Sequence, residues 1–158
     1  MTALIICMAA AALEGVLAGG GVRQRLRELR MPTYSPPFVL WLVIGSLYYV
    51  MCFVILRALL SVRSFSSLYI AALTMMIIVL LANAFWNMLF FRWRALRASF
   101  VAFIPYAIVV AALVVLLTSV DSFAATLLGC YCAYLIYATW WSYRLWRINT
   151  PGEDGFVR

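Results

Sequence analysis

The stretch "ANAFWNMLFFRWR", residues 82–94, closes an uncharged run that extends from Ser64 to Phe91. It sets two amides, Asn83 and Asn87, and a large aromatic, Trp86, into a segment otherwise suited to hydrocarbon. An amide without a partner is costly there. Asn83, Trp86, Asn87 and Phe90 stand at i, i+3, i+4 and i+7, so a helix carries them on one face. In a membrane bundle such a face turns inward, where amides find partners. Two readings of it stand: glue between helices, or the aromatic wall of a small-ligand pocket with a few fixed polar groups.

Outward from this stretch the chain keeps the same character. With 68% hydrophobic and 11% charged residues it is too apolar for a soluble domain and falls in the membrane class. Uncharged runs span Phe38 to Leu56, Ser64 to Phe91, Ala98 to Val120 and Ser122 to Tyr143, and a fifth, Thr2 to Val22, is interrupted only by Glu14. Each has about the 17–25 residues that a helix needs to cross a bilayer. Barrel strands are short and alternate in polarity; these runs are long and continuous. The expected fold is an all-α integral membrane protein, a five-transmembrane-helix bundle forming one domain over residues 1–158. Its helices are placed at about 2–22, 38–60, 64–91, 98–120 and 122–146, with a loop at 23–37 and a tail at 148–158. The first segment lacks a basic leader and no polar mature domain follows it, so it is read as a helix and not a signal peptide.

Arginine sets the orientation. Arg23, Arg25, Arg27 and Arg30 follow helix 1, Arg92, Arg94 and Arg97 follow helix 3, and Arg144, Arg147 and Arg158 follow helix 5. With five helices all of these share one side, and only Arg57 and Arg63 fall on the other. The positive-inside rule puts the richer side in the cytoplasm and the N-terminus opposite. A bacterial membrane and a mitochondrial outer membrane fit equally. The +7 net charge is that of juxtamembrane arginines meeting anionic lipid, and no soluble domain exists to carry nucleic-acid binding. Cys7, Cys52, Cys130 and Cys132 all fall inside expected helices, with no zinc spacing and no implied disulfide. The absence of histidine removes the usual haem ligand and the usual proton carrier near neutral pH. No metal site and no catalytic residue is expected.

Other features ask for an account. Ala11, Gly15 and Gly19 form a small-residue face on helix 1, expected to pack closely within the bundle. Glu14 lies beside that face near mid-membrane, where an ionisable residue is a functional candidate; otherwise it is protonated, or it bonds to a neighbouring helix. The connection "RQRLRELRMPTYSPP", residues 23–37, cannot be one helix because of Pro32, Pro36 and Pro37, although Arg23, Arg27 and Arg30 allow a short interfacial turn. Its length suits a lid. Helix 5 is dense in aromatics from Tyr131 to Trp146, more than an interfacial belt requires.

Several blocks together resemble the translocator protein family, also called tryptophan-rich sensory proteins or the peripheral-type benzodiazepine receptor family. "NAFWNMLFF" is similar to the family's N-x-x-W-x-x-x-F-F signature on helix 3. "LRMPTYSPP", Leu29 to Pro37, resembles L-x-K-P-x-W-x-P-P, and "VIGSLYYVMC", Val43 to Cys52, resembles V-W-G-T-L-Y-x-x-M-G. "YCAYLIYATWWSYRLWRIN", Tyr131 to Asn149, resembles the helix 5 pattern ending in W-R-x-N. The blocks keep their order and span nearly the whole chain. The resemblance implies five helices, often as a homodimer, and a pocket toward the cytoplasmic half beneath the first loop. It implies porphyrins, sterols and synthetic isoquinoline or benzodiazepine-type molecules as ligands, a porphyrin being a ligand and not a cofactor. Carried over by position, the pocket involves Asn83, Trp86 and Phe90 from helix 3, Tyr134, Tyr137 and Ala138 from helix 5, Ile44 from helix 2, and Pro32 and Tyr34 from the lid.

The chain also departs from the pattern. Ile44 and Tyr134 stand where the family usually has Trp, Cys130 where it has Pro, Ser142 where it has Asn, and Arg25 where the first loop has Trp. One residue is missing between Pro37 and the helix 2 block, and Trp41, one turn before Ile44, refills part of the space. A sterol motif around Tyr143 and Arg147 lacks its preceding Leu or Val. The expected function is a membrane receptor or sensor for a flat apolar molecule such as protoporphyrin IX, or for a sterol. The alternatives are a weak light-dependent porphyrin-degrading enzyme, in which Ile44 and Tyr134 replace two pocket tryptophans, and a sterol or porphyrin transporter. A structural role, with the motifs as packing glue, is a further alternative.

Overall fold

The structure, a computed structural model, describes residues 1–61 and 66–150. Arg63, Arg158 and the expected tail from residue 151 onward lie outside the described residues. The described chain is helical throughout: α1 (Thr2–Ala18), α2 (Val22–Glu28), α3 (Phe38–Ser61), α4 (Ser67–Asn87), α5 (Leu96–Thr118) and α6 (Ser122–Asn149). Helices α3 to α6 are each long and apolar enough to cross a membrane, and α1 and α2, bent by 51° at their junction, add a fifth where the pair is counted as one span. This chain is an integral membrane helical bundle.

The helix ends follow local chemistry. Helix α1 stops at Ala18, short of the expected Val22, because Gly19 (φ 74°) and Gly21 (φ 94°) take left-handed backbone that a side chain resists. The Gly19 N–H still closes the last turn on the Gly15 carbonyl at 3.1 Å. Helix α2 takes up the first part of the expected loop, 23–37, where the arginine spacing allows a short interfacial turn, and residues 29–37 form the irregular connection. Ser66 caps α4, its Oγ accepting from the Tyr69 N–H at 3.2 Å. Asp121 caps α6 in the same way, Oδ1 accepting from the Ala124 N–H at 2.8 Å. Helix α5 runs through Pro105 without a break, and α6 continues to Asn149, past the expected end at residue 146. A π-helical turn, Met88–Arg92, closes α4 and ends where Arg94 takes φ 57°.

The bundle is filled unevenly along its axis. In the half away from the arginine-rich end, Ile55, Leu56, Leu59, Met76, Val79, Val110, Leu113, Leu117 and Leu128 bring α3, α4, α5 and α6 together with almost no exposure. Lipid tails are as apolar as these side chains, so close packing and not exclusion from water holds them. In the other half a separate cluster of Phe90, Trp141 and Leu145 sits under Leu26, Leu29 and Trp41. Between the two clusters the bundle is hollow.

Candidate ligand-binding site

The amides of the opening stretch have partners. Asn83 Nδ2 donates to Glu14 Oε2 on α1 at 2.7 Å, and Tyr49 Oη on α3 donates to the same oxygen at 2.6 Å. Asn87 Nδ2 turns back to the Asn83 carbonyl at 3.1 Å. Trp86 Nε1–H donates to the Ser99 carbonyl of α5 at 3.0 Å, and its ring stacks on Phe90 with centroids 5.1 Å apart. The stripe therefore does both things left open by its spacing. It joins α4 to α1 and α5, and it presents aromatic surface inward.

That surface walls a cavity of about 450 Å³ in the half of the bundle nearer the arginine-rich end, a size suited to a small-molecule ligand. Helix α4 contributes Asn83, Trp86 and Asn87, with Phe90 from the π turn; α3 contributes Trp41, Ile44, Tyr48 and Tyr49; α5 contributes Phe103 and Tyr106; and α6 contributes Tyr131, Tyr134, Ala138 and Trp141. Tyr106 and Tyr131 share a hydrogen bond of 2.9 Å between their hydroxyls. Tyr48 is 7% exposed, and its hydroxyl meets no partner among the described residues. The face of Ala11, Gly15 and Gly19 on α1 is not buried against a neighbouring helix, contrary to what its spacing predicts: all three residues are exposed, and Ala11 and Gly15 line the cavity. Beyond the local helix backbone and the adjacent residues, no described atom stands within 4 Å of where a Cβ would sit at Gly15, or at Gly45 in the same cavity wall. The missing side chains are part of the space.

The irregular connection is fastened to α6 along its length, while Val22 and Leu26 of α2, just before it, line the cavity. Tyr137 Oη donates to the Tyr34 carbonyl at 2.8 Å, and Trp141 Nε1–H donates to Ser35 Oγ at 2.9 Å. The Arg30 N–H donates to Asn149 Oδ1 at 2.9 Å, and Asn149 Nδ2 returns a bond to the Arg30 carbonyl at 2.8 Å. The arginines lie outside the cavity. Arg25, Arg94 and Arg97 gather with Glu28 in a separate cleft at the bundle end, where Glu28 pairs with Arg94 at 3.4 Å and with Arg25 at 4.0 Å.

The sequence profile of the TspO/MBR family matches residues 3–147. The chain belongs to this family. No curated protein matches it. Family membership accords with the helical spans in a membrane.

Against that family pattern, Asn83, Trp86, Phe90, Tyr134, Ala138, Trp41 and Ile44 all line the cavity. Tyr137, Tyr34 and Pro32 do not: Tyr137 is spent on the lid, Tyr34 turns its side chain outward at 76% exposure, and Pro32 is buried within the lid. Trp41 occupies the space beside Ile44, its ring 4.8 Å from that of Trp141. The site also holds residues that motif reasoning missed. Tyr48 and Tyr49 sit in a quoted block but carry no family role there, and Tyr106 has no sequence signal beyond lying in an apolar run. Trp141, one of the helix 5 aromatics beyond what an interfacial belt requires, has no family role in the sequence reading and is 3% exposed in the cavity wall.

Proposed function

We propose that this TspO/MBR family member is a membrane receptor or sensor that binds a flat hydrophobic small molecule, a porphyrin such as protoporphyrin IX or a sterol, in the aromatic cavity. The observation that carries the reading is the cavity itself: an unfilled space walled by Trp86, Phe90, Trp41, Trp141, Phe103 and Tyr134 inside an otherwise close-packed bundle. Rigid aromatic faces give large contact area at low entropic cost. Arg23, with its guanidinium 5.7 Å from the centre of the Phe38 ring in the cavity wall, offers a cation to a carboxylate that projects outward. The arginine-rich end marks the cytoplasmic side by the positive-inside rule, so the cavity lies in the cytoplasmic half. Pro32, Tyr34 and Tyr137 act through the lid and not through ligand contact.

Titration of the purified protein in nanodiscs with protoporphyrin IX, followed by tryptophan quenching, tests this. Saturable binding at micromolar concentration or below, weakened in Trp86→Phe and in Asn83→Ala, is the expected result. Linear quenching indifferent to both changes would mean partition into lipid, and the assignment of the cavity as a porphyrin site would be withdrawn.

A further inference from the structure

The polar groups of the cavity have an uneven charge. Glu14 is the one acid in its wall, and no arginine lines it. Glu14 makes no ion pair among the described residues, where the carboxylate pairs involve Glu28 alone. Both of its donors, Tyr49 Oη and Asn83 Nδ2, converge on Oε2, and Oε1 accepts no hydrogen bond among the described residues. Two neutral donors on one oxygen orient the carboxyl group and leave the second oxygen available. The backbone beside it is cleared as well. Gly15 follows Glu14 on α1 and faces space, and Gly45 faces space from α3. Aromatic faces that attract cations, including Trp86 and Tyr48, stand in the same wall.

Resting on the reading that this cavity binds a ligand, we infer that Glu14 is a cation subsite, and that the ligand class it selects is an apolar, ring-bearing protonated amine. The ammonium N–H donates to Glu14 Oε1, while Tyr49 and Asn83 hold Oε2. The ring system lies against Trp86 and Phe90. An intramembrane carboxyl group with fixed orientation has no charge partner in the bundle among the described residues, and a cationic ligand supplies one. A ligand carboxylate finds no cation at this end of the cavity and faces outward toward Arg23, so a porphyrin enters with its propionates last.

The test uses three probes that share one ring: 1-naphthylmethylamine, 1-naphthylmethanol and 1-naphthylacetate. Each is titrated calorimetrically into the full chain in phosphatidylcholine nanodiscs at neutral pH, with empty nanodiscs as the blank and protoporphyrin IX as competitor. The amine is expected to bind about tenfold or more tighter than the alcohol, with the acetate weakest. Glu14→Gln keeps the hydrogen-bond acceptor and removes the charge; it should erase the amine's advantage over the alcohol. The order of the three probes on the unaltered protein decides the matter even where Glu14→Gln does not fold. Equal binding of amine and alcohol overturns the subsite, and so does an amine preference that survives Glu14→Gln. If protoporphyrin binds saturably and none of the naphthyl probes does, the cation subsite falls and the pocket stands. If protoporphyrin also fails, both fall.

Discussion

Asn149 holds the main chain of Arg30 from both sides, accepting from its N–H at 2.9 Å and donating to its carbonyl at 2.8 Å across 119 residues of sequence. The side-chain amide thereby behaves as a strand-like partner for one residue of the lid. A third bond, from Nδ2 to the Leu145 carbonyl at 2.9 Å, fixes the amide against α6. The end of the last helix and the start of the lid are consequently one mechanical unit.

Asn149→Ala should release that end of the lid. Arg30 is near solvent, so its freed backbone groups can bond to water, and the net cost should be about 1 kcal/mol. Thermal unfolding in detergent should shift down by a few degrees. Tryptic cutting after Arg30 should speed up. Unchanged cutting would show that Tyr137 and Trp141 alone hold the lid.

Ser35 and Trp141 should act as a pair. Trp141→Phe keeps most of the ring that packs on Trp41 and Phe90 but loses the bond to Ser35 Oγ. Ser35→Ala loses the same bond from the other side. Each should raise the ligand dissociation rate several-fold, and the double change should cost little more than either single one. Additive effects on the rate would separate the lid bond from ligand retention.

Gly15 and Gly45 should tolerate side chains that fill the cavity. Both sit inside helices, where Ala is favoured over Gly by roughly 0.5–1 kcal/mol, and neither has an atom in the way. Gly15→Ala should therefore raise the melting temperature slightly. Gly15→Leu should leave folding intact and weaken protoporphyrin binding by an order of magnitude or more. Full affinity in a folded Gly15→Leu protein would place the ligand elsewhere.

Trp86 serves both stability and ligand contact, and its substitutions should separate the two. Trp86→Ala removes the stack on Phe90, the contact with Phe103 and the bond to Ser99. Half-buried and facing existing space, the residue should cost about 2–3 kcal/mol, toward the lower end of large-to-small changes. Trp86→Phe keeps ring contact and loses the hydrogen bond, and should cost about 1 kcal/mol. Equal losses in the two variants, read from denaturant unfolding in micelles, would put the whole effect on the Ser99 bond.

Much of this protein can be read directly from its sequence. Long uncharged runs imply helices in a membrane, because hydrocarbon offers no water to unpaired backbone groups. Arginine placement separates two ends, and the spacing of Asn83, Trp86 and Phe90 puts them on one face of α4 and its closing π turn, which faces the cavity. Periodicity reaches no further than one helix at a time. It does not say which neighbour a face meets. In a membrane the lipid-facing and bundle-facing residues are almost equally apolar, so polarity gives little guidance on how each helix is rotated. The small-residue face of α1 illustrates the loss: the same Ala11–Gly15 spacing serves a tight helix contact or an open wall, and only the placement of α3 and α4 makes it a wall. The meeting of Glu14, Tyr49 and Asn83 on one oxygen, 35 and 69 residues apart, is likewise a product of helix rotation and depth. What sequence determined is the set of membrane helices and their inward residues; what tertiary structure alone decided is the cavity they leave and the single acid exposed within it.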